Sequence, residues 1–446
     1  MRIAYITAGA AGMYCGSCLH DNALASALLA QGHEVSLVPV YTPIRTDESD
    51  VSVKRVFFGG INIYLQEKSA LFRHTPWFLD RLWDTPRLLR WVSRFAVATR
   101  ADELGPLVLS MLHGEQGHQR KELDKLLWWL ERDVQPVVVN LSTCLLAGMA
   151  REIRRRLGVP VISSLSGEDL FLEGLVEPYR REALAALRSR VRDVDGFIAF
   201  NKYFAGFMSE YLEIPQQKVH VVPLGVNVAG HEPAGGSRTG VTIGYLARIA
   251  PEKGLHLLAE AWRNVQDWTG RTDVRLSVAG YLSGRDRRYF DEIQRQIERW
   301  GLGERFDYVG EVDRAGKLRF LQGLDVFSVP TVYRESKGRS VLEAMASGVP
   351  VIVPRHGTFP EMIQATQGGL LVEPGDTEDL ARGLERLVSD EGLRGQLARQ
   401  GREAVQRRFT AASMAEGTVA VYRKYLSASA EDRGLSGKAT SVAVEV

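Results

Sequence analysis

Short runs of apolar residues alternate with longer helical patterns along almost the whole chain. In the first half the apolar runs are "RIAYIT" (2–7), "EVSLVPV" (34–40), "PVVVN" (136–140), "VPVISS" (159–164), "GFIAF" (196–200) and "VHVVPL" (219–224). The second half restarts with "GVTIGYL" (240–246) and continues through "RLSVAG" (275–280), "RFDYVG" (305–310), "VFSVP" (326–330), "VPVIVP" (349–354) and "GGLLVE" (368–373). Continuous apolar runs, as opposed to strict alternation, predict strands covered on both faces, hence parallel sheets with crossover helices. "LLAGMAREIRRRLG" (145–158) fits such a crossover, an amphipathic helix stopped by Gly158.

The pattern breaks in three places. "NVAGHEPAGGSRTG" (227–240) is rich in glycine and has no apolar period, which places a linker over 229–240. The fold class expected is therefore α/β, two Rossmann-like parallel-sheet domains over 1–228 and 241–410, facing each other across a cleft. Ligands of such sheets bind at the carboxyl ends of the strands. Residues 66–131 read as a helical, tryptophan-rich insert in the first domain, and residues 428–446 as a frayed tail.

A chain of 446 residues has room for two cores, and 45% hydrophobic with 25% charged residues describes a folded protein. A formal charge of +2 argues against a nucleic-acid partner. Three cysteines (Cys15, Cys18, Cys144) do not make a disulfide scaffold. The chain enters a strand directly after "MR" and has no run of 18 apolar residues, so the expectation is a cytoplasmic protein.

Chemistry concentrates in "VPTVYRESKGRSVLEAMASGVPVIVP" (329–354). A strand ends in a loop carrying Glu335, Gly338 opens a helix, and Glu343 lies one to two turns into it. Gly338 lets a ligand approach the backbone, and the amides near Gly338, Arg339 and Ser340 sit at the positive end of the helix, where a diphosphate fits. Glu343 can accept two hydroxyl protons from a vicinal diol, and Glu335 can face a second polyol. "GYLARIAPEKG" (244–254) adds Arg248 and Lys253, two cations on one loop that suit a diphosphate.

These residues together resemble the retaining GT-B glycosyltransferases with the Glu-x7-Glu motif (glycosyltransferase family 4-like, group 1), and the likeness covers nearly the whole chain. "LEAMASGVPVI", "VVPLGVN" and "GTFPEMI" resemble further motifs of that family, and 411–427 resembles its final helix, which crosses back onto the first domain. The resemblance implies a metal-independent hexosyltransferase without cofactor, using a nucleotide-sugar donor and a glycan, lipid or small-molecule acceptor. It implies that Glu343, Gly338, Arg339, Ser340 and Gly310 bind the donor in the second domain. Glu335, Arg248 and Lys253 would serve the transferred sugar and the leaving diphosphate. The first domain would take the acceptor, with Gly12, Gly16 and Asp21 on its glycine-rich side. Nucleobase recognition would fall around 308–313.

The match departs at "SSLSGEDLF", where Ser166 stands in place of the family's usual histidine, and at Asn140, where another histidine is common. Serine carries no charge but can still hydrogen-bond a sugar oxygen. Two rivals stay open, a non-catalytic nucleotide-sugar binder and a sugar-nucleotide epimerase. A dehydrogenase does not fit, because "GAAGMYCG" is no compact Gly-x-Gly-x-x-Gly turn and no acidic residue ends "EVSLVPV". Asp193–Asp195 ("DVD") ends a helix and starts a strand, which argues against a metal site. Within the insert, residues 71–95 mix Trp77, Trp83 and Trp91 with five arginines, a composition for a peripheral membrane contact or for packing with a solvated rim. The pair in "GMYCGSCLH" offers redox or zinc chemistry on paper; the glycine-rich loop is the stronger reading.

Overall fold

The computed structural model describes residues 1–9, 14–59, 101–233 and 240–432. Gly12, the stretch 71–95, the middle of the linker and residues 433–446 lie outside the described residues.

Two six-stranded sheets form, both wholly parallel, as the continuous apolar runs predict. The first contains β1 (Arg2–Thr7), β2 (Glu34–Pro39), β3 (Val138–Leu141), β4 (Val161–Ser164), β5 (Gly196–Ala199) and β6 (Val219–Val221), in the order β2-β1-β3-β4-β5-β6. The second contains β7 (Val241–Leu246), β8 (Val274–Ala279), β9 (Phe306–Gly310), β10 (Val326–Ser328), β11 (Val351–Pro354) and β12 (Gly369–Val372), in the order β12-β11-β10-β7-β8-β9. Central strands such as β3, β4 and β11 are buried along their whole length.

Strand order decides where a ligand can sit. In the second sheet the direction of winding reverses between β7 and β10, so the loops leaving those two strands diverge and open a crevice. Those loops carry Arg248 and Lys253 after β7, and Glu335 after β10. In the first sheet the reversal falls between β1 and β3, which puts the glycine-rich loop at the corresponding edge.

The chain crosses between the halves twice, and the two crossings are bonded to each other. Val226 N–H donates to the Phe409 carbonyl (2.9 Å), and Ala411 N–H donates to the Val226 carbonyl (2.9 Å). A Cβ on Gly225 would come within 2.2 Å of the Thr410 carbonyl oxygen, so only glycine allows this approach. Beyond it, helix Ala411–Asp432 lies against helix Gly16–Ala30 of the first half and buries Tyr422. Tyr425 hydrogen-bonds His220 (2.9 Å) and its ring covers Gly196, where a Cβ would come within 2.5 Å. The helix runs to Asp432, past residue 428 where a frayed tail was expected. "SASAED" is rich enough in alanine to extend a helix already anchored by packing.

Within the insert, the described part contains helices Ala101–His113 and Arg120–Trp129. The expected helix over 145–158 starts as a 3-10 turn, Cys144–Met149, and becomes α-helical over Ala150–Leu157. Gly158 follows in the left-handed conformation (φ 64°), as a helix stop requires. Among the described residues no helix is long and apolar enough to cross a membrane.

Gly225→Ala tests the double crossing. Overpacking against a backbone carbonyl is expected to cost about 2 kcal/mol, read as a lower denaturant midpoint at unchanged slope. An unaltered midpoint would show that the crossing backbones are free to separate.

Candidate functional site

At the β7/β10 crevice the expected residues come together. Lys253 Nζ pairs with Glu335 Oε2 at 2.7 Å, and the Tyr333 hydroxyl donates to the same oxygen at 2.6 Å. Lys253 also reaches the Tyr333 hydroxyl directly. The Lys337 amide bonds the other carboxylate oxygen (3.2 Å). The loop is held from behind by the Thr358 amide, which donates to the Glu335 carbonyl (2.8 Å). Gly357 makes this possible, since a Cβ there would meet the Glu335 backbone at 2.4 Å. Burial pushes the Glu335 carboxyl up, but the charge and hydrogen bond of Lys253, then Tyr333, bring it down to about 2. Arg248, on the Lys253 loop, pairs with Glu252 and remains about a third exposed.

Gly338 takes a left-handed conformation (φ 67°) and caps helix Arg339–Ala346. The first intrahelical bonds run from Val341 and Leu342 to the Gly338 carbonyl. The amides of Gly338, Arg339 and Ser340 are thus the orphan donors of the helix start. One turn on, Glu343 is 3% exposed. Its Oε1 accepts from Lys317 (2.8 Å) and Arg339 (3.0 Å). Burial raises this carboxyl, and Lys317 and Arg339 overcome it, holding it at about 2. Gly310 ends β9 with φ 84° and open space where a Cβ would be. Beside it are two cavities of about 670 and 500 Å³, both lined by Glu311; Val309, Val312 and Asp313 line the first and Tyr308 the second.

The first half reaches over this site. Asp47 pairs with Lys317 at 2.5 Å, Glu48 pairs with Arg314 at 3.2 Å and approaches Arg339 at 3.6 Å, and Arg45 pairs with Glu311 at 3.1 Å. Nearer Glu335, Lys337 Nζ donates to Ser17 Oγ (2.7 Å) and Asn201 Nδ2 donates to the Ser336 carbonyl (2.7 Å). None of Asp47, Glu48, Lys317, Lys337 or Asn201 stands out in the sequence. Lys337 lies inside the motif, but the others come from three separate segments that only folding brings together.

Two expectations for the first half change, those for Asp21 and Ser166. Asp21 does not face an acceptor: it is 1% exposed, and its carboxylate is taken by Thr7 (2.6 Å), Tyr5 (3.0 Å) and His20 (3.0 Å). It lies on the inner face of helix Gly16–Ala30, against β1. Ser166 is committed to Glu168 through both its amide (2.7 Å) and its hydroxyl (3.2 Å). Gly16 is the first residue of its helix and has open space around it. Cys15 caps that helix and, like Cys18, is a free thiol. A hydrogen bond from Cys18 pulls the Cys15 thiol down to about 5 against the opposing effect of burial, with Lys337 contributing. Asp193 and Asp195 are structural, paired with Arg151 and Arg190 and with Arg154.

The acid behaviour follows from Glu335 and Glu343. Both folded values lie below the unfolded one of about 4.3. The stability these carboxylates supply is therefore complete above that value and lost as pH falls toward 2. Glu343→Gln is expected to lower stability at pH 7, by leaving Lys317 underpaired, and to flatten the loss between pH values of about 5 and 2. Thermal melts across that range provide the measurement; an acid limb as steep as the parent's would contradict the pairing.

Comparison with known proteins bears on the family and the fold. Residues 233–404 match the family described as "Glycosyl transferases group 1", and residues 22–225 match the "Glycosyl transferase 4-like domain". The chain is 34% identical over 191 residues to a phosphatidyl-myo-inositol mannosyltransferase of Mycobacterium leprae, covering 42% of this chain and 48% of that protein. It is 27% identical over 292 residues to a D-inositol 3-phosphate glycosyltransferase of Segniliparus rotundus, covering 61% and 63%. The matches thus span about half to two-thirds of these relatives' length. In fold it resembles a sucrose-phosphate synthase of Thermosynechococcus elongatus (TM-score 0.69, 16% identity, 96% of this chain and 100% of the other). Another likeness is to Anabaena HepE, solved in complex with UDP (TM-score 0.65, 16% identity, 95% and 100%). Two glycosyltransferase family models thus cover the two halves of the chain in succession, and the protein belongs to the group 1, 4-like glycosyltransferases of GT-B fold.

Proposed function

We propose that the protein is a retaining hexosyltransferase that moves a sugar from a nucleotide-diphosphate donor to a glycan, lipid or small-molecule acceptor without a metal ion. The observation that carries the reading is the convergence, at one topological switch point, of Lys253, Glu335, the helix start at Gly338 and the buried Glu343.

Transfer breaks the bond between the anomeric carbon and the diphosphate oxygen and forms one to an acceptor hydroxyl oxygen, whose proton leaves with the diphosphate. Positive charge develops on the sugar and negative charge on the departing diphosphate. Lys253, Arg248 and the amides of Gly338, Arg339 and Ser340 answer the second, and the ionised Glu335 answers the first. These groups are fixed before the reaction, which is where electrostatic stabilisation is most effective. Glu343 takes the ribose hydroxyls, and the cavities beside Gly310 and Glu311 accommodate the base. Because Asp47 and Glu48 sit on Lys317 and Arg339, donor binding displaces this acidic segment or is completed by it.

The first half takes the acceptor, with the glycine-rich loop, including Gly12 and Gly16, on that side. Residues 71–95 would bring it to an anionic membrane surface if the acceptor is a lipid. A non-catalytic binding protein is the second reading, favoured by Ser166, which is occupied by Glu168 and carries no charge.

A thermal-shift screen of UDP-, GDP- and ADP-sugars is expected to pick out one donor class, because a ligand that binds only the folded state raises its melting temperature. Glu343→Ala should abolish the strongest shift; a shift of equal size would contradict the donor site. Donor hydrolysis or transfer by the purified protein separates enzyme from binder. Flotation with anionic vesicles at low salt is expected to carry the protein upward, and its absence would remove the membrane contact.

A further inference from the structure

Where helix Gly16–Ala30 meets the loop carrying Glu335, Nε2 of His20 is a buried polar atom without a partner among the described residues. The side chain is almost wholly enclosed, and its other nitrogen, Nδ1, lies 3.0 Å from Asp21 Oδ1. The Asp21 carboxylate is held in turn by the hydroxyls of Tyr5 and Thr7, at 3.0 and 2.6 Å. A carboxylate only accepts, so Nδ1 carries the proton and Nε2 presents a bare lone pair. Burial keeps the imidazole neutral against the pull of Asp21, and the nearby charges of Lys337 and Arg339 act in the same direction as burial. The ring packs against Phe200 at 4.6 Å between centroids, which fixes its orientation.

Its surroundings belong to both halves. Lys337 lies 5.6 Å from the centre of the same Phe200 ring and bonds Ser17, three residues before His20. The Lys337 amide contacts Glu335. The orphan acceptor is thus next to the loop that, in the proposed function, faces the transferred sugar. A buried acceptor left unpaired costs about 1–3 kcal/mol, and the hydroxyl-bearing ligand of this cleft is the group that can relieve it. The Asp21–His20 pairing has the arrangement in which one nitrogen is anchored so that the other can be aimed.

We propose that His20 Nε2 accepts a hydrogen bond from one hydroxyl of the transferred hexose, making the Asp21–His20 pair a sugar-positioning element of this site. The inference rests on the donor-site reading above. It also accounts for a transferase in which Ser166 is committed elsewhere: the imidazole contact to the sugar comes from the first helix. A site built to pair with a given hydroxyl discriminates strongly against an analogue that lacks it.

The experiment uses the full chain with UDP-glucose and GDP-mannose and with the monodeoxy analogues of whichever donor it consumes. His20→Asn keeps an amide donor for Asp21 and removes the group at the Nε2 position; His20→Gln extends an amide to that position. His20→Asn is expected to lower kcat/KM roughly 10- to 100-fold. Affinity for the free nucleoside diphosphate should change by less than about twofold and the melting temperature should be retained. His20→Gln should recover part of the loss. One deoxy donor should be a poor substrate for the parent by a similar factor, and removal of that hydroxyl should cost His20→Asn nothing further. If His20→Asn matches the parent, or if every deoxy penalty persists in it unchanged, the assignment is wrong while the donor site stands. If the parent consumes neither donor and the screen above finds no other, the functional reading falls and this inference with it.

Discussion

Burying a carboxylate costs several kcal/mol unless a cation is delivered to it, and this chain does so twice within a few ångströms of one helix start. Glu335 receives Lys253 from the loop after β7, and Glu343 receives Lys317 from the helix after β9. Each pairing requires its strands to stand in the observed order, with β10 beside β7 and β9 at the far edge beyond β8. The second of these cations also draws in the acidic segment of the first half, since Asp47 shares Lys317 with Glu343. Charge balance at one crevice thereby links sheet order, site geometry and the approach of the two halves.

That crevice is polar and held by ion pairs, whereas the double crossing at Val226 and Phe409 is held by backbone hydrogen bonds. The two kinds of contact join the same pair of halves at different places, side-chain charge at the crevice and main-chain pairing at the crossing.

Much of this was legible in the residues themselves. Continuous apolar runs gave the two parallel sheets because central strands such as β3, β4 and β11 are covered on both faces, as their full burial shows. The spacing from Glu335 to Glu343 was legible because it lies within one loop and one helix. Lys317 was not, because it joins Glu343 only after a strand and a helix have folded back. Asp21 misled for a related reason: a helix-start aspartate points inward or outward according to which face packs on β1, and its neighbour His20 shares the same buried environment. Ser166 was identified as a departure, but that its hydroxyl and amide both turn to Glu168 depends on a two-residue turn that no periodicity records.

Helix Ala411–Asp432 has a consequence for modularity. Although last in the chain, it covers β5 through Tyr425 over Gly196 and packs on the first helix, so it completes the core of the amino-terminal half. A chimaera that exchanges the second sheet should therefore take its central block, from the linker to about residue 410, and leave this last helix with its original partner. The unit that recombination can move is an internal segment with two seams, both at the point where Val226 meets Phe409 and Ala411.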